Sequence, residues 1–142
     1  MTKSENLKNK WDVQLRKGTL ELVILAALKE RTLYGLELLK LLHSFPTMQI
    51  TEGTLYPLMD RLKRDELTSA FWKQEGETRP RKYYQLTEKG SEKLTALSER
   101  WRESVSDLEY LIQNPGPKPI TANLDNQQAG QPSIKPTKDK GA

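Results

Sequence analysis

The stretch from Thr51 to Leu67, TEGTLYPLMDRLKRDEL, has the signature of a helix entered through a hydroxyl and left through charge. Thr51 suits an N-cap, and Leu55, Leu58 and Leu62 recur at helical spacing, which predicts a helix to about Glu66. Pro57 is expected near its first turn, where a missing N–H matters least; a deeper placement would kink the helix. Thr51, Gly53, Thr54 and Tyr56 crowd the helix start, where free backbone N–H groups and the helix dipole favour a phosphate and hydroxyls add bonds to it. Arg61, Lys63 and Arg64 lie on successive sides farther along, so two of the three can face a duplex at once. Asp60, Asp65 and Glu66 among them leave open the reading of an ordinary solvated face, and Tyr56 is as well suited to packing the helix as to touching DNA.

Downstream the period changes from helical to two. Ser69–Gln74 and Arg81–Leu86 hold Phe71, Trp72, Tyr83 and Tyr84, strand formers on either side of a polar turn at Glu75–Pro80. The tip of this hairpin gathers Arg79, Arg81 and Lys82, stiffened by Pro80, with Lys73 on the opposing strand: a basic finger suited to backbone or minor-groove contact. Glu75 and Glu77 weaken its field, but the run from Thr78 through Leu86 is free of acids. Thr87 then caps a final helix to about Gln113, some 40 Å long at about 1.5 Å per residue. Leu94, Leu97, Trp101, Val105, Leu108 and Ile112 follow one another along it at steps of 3, 4, 4, 3 and 4. That is a narrow heptad-like seam, too long to be buried on so small a domain, and a second copy is its economical partner.

Upstream, Leu7, Trp11 and Leu15 form one stripe of a short amphipathic arm that could pack on that partner. Leu20, Val23, Ile24, Ala27 and Leu28 share a face of a buried helix over Gly18–Glu30. Thr32 is expected to cap a second helix with Leu33, Leu36, Leu39 and Leu42 at every third position, followed by a loop from His43 to Ile50. The expected fold is therefore mainly α with a small β-hairpin. It comprises an arm helix over 1–17, a winged helix-turn-helix domain over 18–86, a dimerisation helix over 87–113 and a disordered tail over 114–142.

The 142 residues suffice for one domain, and the absence of cysteine excludes disulfides, thiolate zinc sites and a cysteine nucleophile, which suits a reducing cytoplasm. The longest apolar run, Leu22–Leu28, is far short of a membrane span, and no leader is visible. Net charge is +4 for the chain and falls to +2 over residues 1–113, because the tail takes Lys118, Lys135, Lys138 and Lys140 but only two aspartates with it. A phosphate surface must therefore be local. The single histidine, His43, reads as a surface or helix-capping residue. No phosphate loop, metal-ligand spacing, cofactor motif or carboxylate pair supports catalysis, so the expectation is no enzyme, no cofactor and no metal.

Four stretches, KGTLELVILAAL, LYGLELLKLL, TEGTLYPLMDRLKRDEL and RPRKYYQLTEKG, resemble successive signatures of PadR-type transcriptional regulators over about residues 17–113. GTLYP with RL close behind, and RKYY with LT, are the specific parts. The resemblance implies a dimeric repressor whose wing reaches DNA through Arg79, Arg81 and Lys82, and whose arm packs on the partner's final helix. It also places Trp101 where the multidrug-sensing members carry a tryptophan that stacks on planar drugs, although Val105 stands where those members have an aspartate. Trp101 is therefore the candidate effector residue, for a small aromatic or phenolic molecule, with core packing as its alternative; Arg100 or Arg102 would suit a phenolic acid. The expected function is a sequence-specific regulator binding double-stranded DNA at an inverted repeat. Its alternatives are a ligand-independent DNA binder and a dimeric protein-interaction adaptor.

Overall fold

Thr2 opens the first helix with a reciprocal cap, its hydroxyl accepting the Glu5 N–H at 3.0 Å while the Glu5 carboxylate accepts the Thr2 N–H at 2.8 Å. The resulting helix α1 runs unbroken over Lys3–Ala27 in the computed structural model, which describes residues 2–117. The arm and the helix expected to begin at Gly18 are thus a single element. Gly18 weakens a helix interior by only about 1 kcal/mol relative to alanine, not enough to break it, and the Thr19 hydroxyl is satisfied within the helix by the Leu15 carbonyl at 2.9 Å.

After α1 come β1 (Leu33–Tyr34), α2 (Gly35–His43), α3 (Glu52–Arg64), β2 (Thr68–Lys73), β3 (Arg81–Leu86) and α4 (Glu88–Gln113). The expected hairpin is a three-stranded antiparallel sheet in the order β1-β3-β2, because Leu33 and Tyr34 pair with Tyr84 and Tyr83. That pairing holds Tyr34 extended and displaces the helix start expected at Thr32 to Gly35; the Tyr34 N–H is taken up by the Glu37 carboxylate at 3.1 Å. Leu38, Leu39 and Leu42 of α2 are buried while Leu36 is exposed, which corrects the every-third-leucine face. Thr51 does occupy the N-cap of α3, but its hydroxyl meets the Thr54 hydroxyl at 3.3 Å rather than capping a backbone N–H. Pro57 lies inside α3, in its second turn, deeper than expected.

Ile24 and Leu25 of α1 with Leu28 at its C-cap, Leu38 and Leu42 of α2, and Leu55, Met59 and Leu62 of α3 make the core, closed by Leu67, Tyr84 and Leu94. His43 is the last residue of α2, not the first of the loop: its ring Nε2 lies 2.6 Å from the Ile50 carbonyl, and the Gln49 amide donates to the His43 and Phe45 carbonyls at 2.8 Å each. The α4 start is locked to the end of α3. Thr87 caps it through the Gly90 N–H at 3.0 Å, and the same hydroxyl donates to the Glu66 carbonyl at 2.7 Å. Residues through Ser104 form one compact unit; Val105 onward forms a second, described as far as Pro117. The tail expected from Asn114 lies, beyond Pro117, outside the described residues.

Candidate nucleic-acid interface

No side chain caps the N-terminus of α3, so Thr51, Gly53 and Thr54 stand exposed at the positive end of a thirteen-residue helix. Tyr56, one turn later, does two things. Its ring lies against Gly35 so closely that a Cβ there would collide with it, which packs α3 onto α2, while its outer edge remains accessible. Burial pushes the phenols of Tyr56 and Tyr84 up, helped by Glu52 for Tyr56 and Asp60 for Tyr84, so both stay protonated donors at neutral pH.

The three cations of α3 separate. Arg61 is held by Glu21 of α1 at 3.1 Å and by Asp65 at 3.7 Å, with Lys93 of α4 on the second oxygen of Glu21. Its charge is engaged in these ion pairs while the side chain stays half-exposed. Burial pushes the Glu21 carboxyl up, but hydrogen bonds and charge from Lys93 and Arg61 outweigh this and hold it below its ordinary value. Lys63 and Arg64 are exposed and make no ion pair among the described residues.

The wing separates in the same way. Strand register sets Lys73 opposite Arg81 and Trp72 opposite Lys82. Lys73 bridges to Glu75 at 3.3 Å and lies over the Tyr83 ring, and so offsets one of the two acids at the tip. The tip is a turn closed by Thr78, whose N–H and hydroxyl both donate to the Glu75 carbonyl, at 3.2 and 2.6 Å. Arg81 stacks its guanidinium 4.6 Å from the centre of the Tyr34 ring, which in turn meets Tyr83 edge-on. Cation–π contact fixes the guanidinium without cancelling its charge. Between the wing and the starts of α2 and α3 lies a cleft of about 600 Å³. Arg79, Arg81 and Lys82 line it together with Tyr34, Tyr56 and Trp72, and no acidic residue does. Of the other lining residues, Trp72 and Leu36 enter the sequence reading only as a strand former and a helix former, and Tyr34 is not named in it. The alternation of β2 marks Trp72 only once the register with Lys82 is known.

A recognition helix followed by a basic wing is the arrangement of a winged helix-turn-helix, and the chain matches the transcriptional regulator PadR-like family over residues 24–96. The chain belongs to that family. Among solved structures it is similar to a PadR-like transcription factor from Bacteroides fragilis, 37% identical, covering 71% of this chain and 97% of that one at a TM-score of 0.59. A PadR-like transcriptional regulator from Bacillus cereus is 31% identical, with 72% and 99% covered and a TM-score of 0.67. A PadR family transcriptional regulator from Eggerthella lenta is 32% identical, with 79% and 97% covered and a TM-score of 0.66.

Away from the wing, this PadR-like chain has an apolar cavity of about 520 Å³ bounded by α1, the α2–α3 loop and α4. Trp101 lines it with Leu15, Val23, Phe45 and Met48, and Arg16, Arg31, Arg102 and Asp12 supply its charged groups. Arg16 also donates to the Thr47 carbonyl at 3.1 Å, tying α1 to the loop. Of the residues expected to face a second copy, Leu94 is buried in the core of its own chain and Leu97, half-buried, packs against that core. Leu7 and Trp11 are exposed near the start of α1, and Leu15 and Val105 are half-buried. In the second unit Leu108, Leu111 and Ile112 are 55%, 62% and 67% exposed. No cluster of potential metal ligands occurs among the described residues, and no helix there is long and apolar enough to cross a membrane.

Proposed function

We propose that this PadR-like regulator is a cytoplasmic twofold homodimer that represses by binding an inverted-repeat operator in double-stranded DNA. The observation that carries this reading is the acid-free cleft in which Arg79, Arg81 and Lys82 face the start of α3. Lys63 and Arg64 extend the basic surface, and Thr51, Gly53, Thr54 and Tyr56 offer hydroxyl and backbone donors to a phosphate at the α3 entry. Arg61 serves instead to hold α3 against α1. The exposed leucines and isoleucine at the end of α4, and separately Leu7 and Trp11 of α1, are the surfaces for the second copy, since apolar exposure of this kind marks an interface. Such a dimer presents its two α3 helices about one DNA turn apart, roughly 34–36 Å, or a multiple of it.

Release follows from a small aromatic effector in the cavity at Trp101. Three arginines against one aspartate on its wall favour an aromatic acid over a cation. The cavity joins α1, α4 and the loop leading into α3, so a ligand that fits it better in one arrangement of those elements shifts the helix that reads DNA; equal affinity for both arrangements would shift nothing.

The test is a titration of the full chain onto its own upstream region across a salt series, with an Arg79→Ala, Arg81→Ala, Lys82→Ala variant beside it. Steeply salt-dependent binding that the variant loses supports the reading. Salt-insensitive, weak association with DNA overturns it in favour of a protein-interaction adaptor. Titrating 4-hydroxycinnamate into the complex then tests release. Dissociation that Trp101→Leu abolishes supports the effector site, and a complex indifferent to the ligand leaves a DNA binder without effector control.

A further inference from the structure

Trp72 is the most exposed aromatic side chain of the sheet, at 69%, and the core gives no reason for it. Its strand neighbours Ala70 and Phe71 carry the packing, Ala70 against the core and Phe71 stacked on Tyr83 at 5.8 Å. What surrounds Trp72 instead is the basic cleft, with Lys82 as its cross-strand partner and Arg79 and Arg81 on the same lining.

We infer that this cleft grips one strand of the duplex by its sugar–phosphate backbone, with Arg79, Arg81 and Lys82 on the phosphates and the Trp72 indole packed on a deoxyribose. The inference rests on the DNA reading above and specifies how the wing carries it. A backbone strand alternates an anion with an apolar sugar, and the cleft offers cations interleaved with aromatic faces in the same space. Reading a base edge would call for amides, carboxylates or a bidentate guanidinium aimed into a groove. The lining contains no Asn, Gln, Asp or Glu, and the Arg81 guanidinium is turned onto Tyr34. The contact is therefore a positioning contact, indifferent to sequence. An acidic peptide would satisfy the cations equally well, but it does not supply the regular alternation of charge and apolar surface that gives the indole a use.

The experiment compares Trp72→Ala, Trp72→Phe and Arg79→Ala with the wild-type full chain on two duplexes, one recovered by random-sequence selection and one scrambled. Affinities are measured over a series of NaCl concentrations. Trp72→Ala is expected to weaken both duplexes by about tenfold at every salt concentration with the slope unchanged, because it removes an uncharged contact, whereas Arg79→Ala lowers the slope by about one. Trp72→Phe keeps most of the affinity. Being exposed, Trp72 is replaceable without loss of the fold, and an unchanged thermal melt of each variant checks this. Wild-type-like affinity in Trp72→Ala overturns the inference. So does a changed salt slope in that variant, which would mean that Trp72 merely orders the cations, or a loss confined to the selected duplex, which would mean base reading. If the wild type itself selects no duplex, the DNA reading fails first and the wing falls with it.

Discussion

Alanine at Gly90 and alanine at Gly18 are the same chemical change, both inside helices, and they should move stability in opposite directions. A Cβ on Gly90 would lie 1.9 Å from the Leu67 carbonyl oxygen, 2.9 Å from its carbon and 3.2 Å from the Leu86 Cδ2. Ordinary contact is about 3.5 Å, so the first turn of α4 must retreat by about 1.5 Å from a backbone that cannot swing aside. The retreat breaks the Gly90 N–H bond to Thr87 at 3.0 Å, the Thr87 hydroxyl bond to Glu66 at 2.7 Å and the Thr87 N–H bond to Leu67 at 3.1 Å. It also lifts Leu94, now 6% exposed, from the core. Three hydrogen bonds at about 1 kcal/mol each, and about 1 kcal/mol of lost apolar burial, are offset by about 1 kcal/mol from alanine's better helix propensity. The net loss is about 3 kcal/mol, a large share of the roughly 5–15 kcal/mol that holds a small domain together. At Gly18 nothing lies within 4 Å of the added carbon, so only the propensity acts and Gly18→Ala gains about 0.5–1 kcal/mol. Urea unfolding followed by circular dichroism reads both. A Gly90→Ala midpoint at or above wild type would refute the close approach of α4 to the β2 start.

Three further outcomes follow from single features. Glu21→Gln should lower stability by about 1–2 kcal/mol at neutral pH, since its partners Lys93 and Arg61 are half-exposed and regain water. The folded carboxyl sits below 4.5, so its contribution is present above that pH and fades as pH falls through the lower folded value. The gap between wild type and variant should therefore close in acid, and a gap independent of pH would sink the network. Glu66, just past the end of α3, has φ at 64°, so Glu66→Gly should raise stability by about 1 kcal/mol and with it the urea midpoint, and a lower midpoint would contradict that geometry. Leu108→Lys with Ile112→Lys should halve the mass found by sedimentation equilibrium while helix content stays constant; an unchanged mass would place the dimer surface elsewhere.

The order of elements was legible because it rests on local periodicity: the leucines of α3, the alternation over Phe71–Tyr84 and the Thr87 cap each announce themselves within a few residues. What stayed hidden involves partners far apart in the chain. Thr32 loses the α2 start because Tyr34 pairs with Tyr83, and Leu94 leaves the seam because the Gly90 notch presses α4 onto Leu67. Neither could be read from neighbouring positions.

Contacts made by the fold also decide the basic residues. A cation in a sequence looks equally available wherever it stands, and its use depends on which carboxylates the fold brings within reach. Arg61 meets Glu21, forty positions earlier and a turn's reach away in space, and Lys73 meets Glu75 across the start of the tip. Both are neutralised where they stand. Arg79, Arg81 and Lys82 are left facing a cleft from which every acid is absent, although Glu75 and Glu77 lie only a few residues away in the chain. The turn at Gly76 and Thr78 separates these two groups by carrying the acids to the tip while the register of β3 keeps the bases at the cleft. Exchanging the two neighbours, Arg81→Lys with Lys82→Arg, would set a lysine rather than the guanidinium over Tyr34 and an arginine opposite Trp72. A chain so altered would keep its composition and net charge yet lose the paired placement of Trp72 with Lys82, which is why the charge total says so little about the surface and the strand register so much.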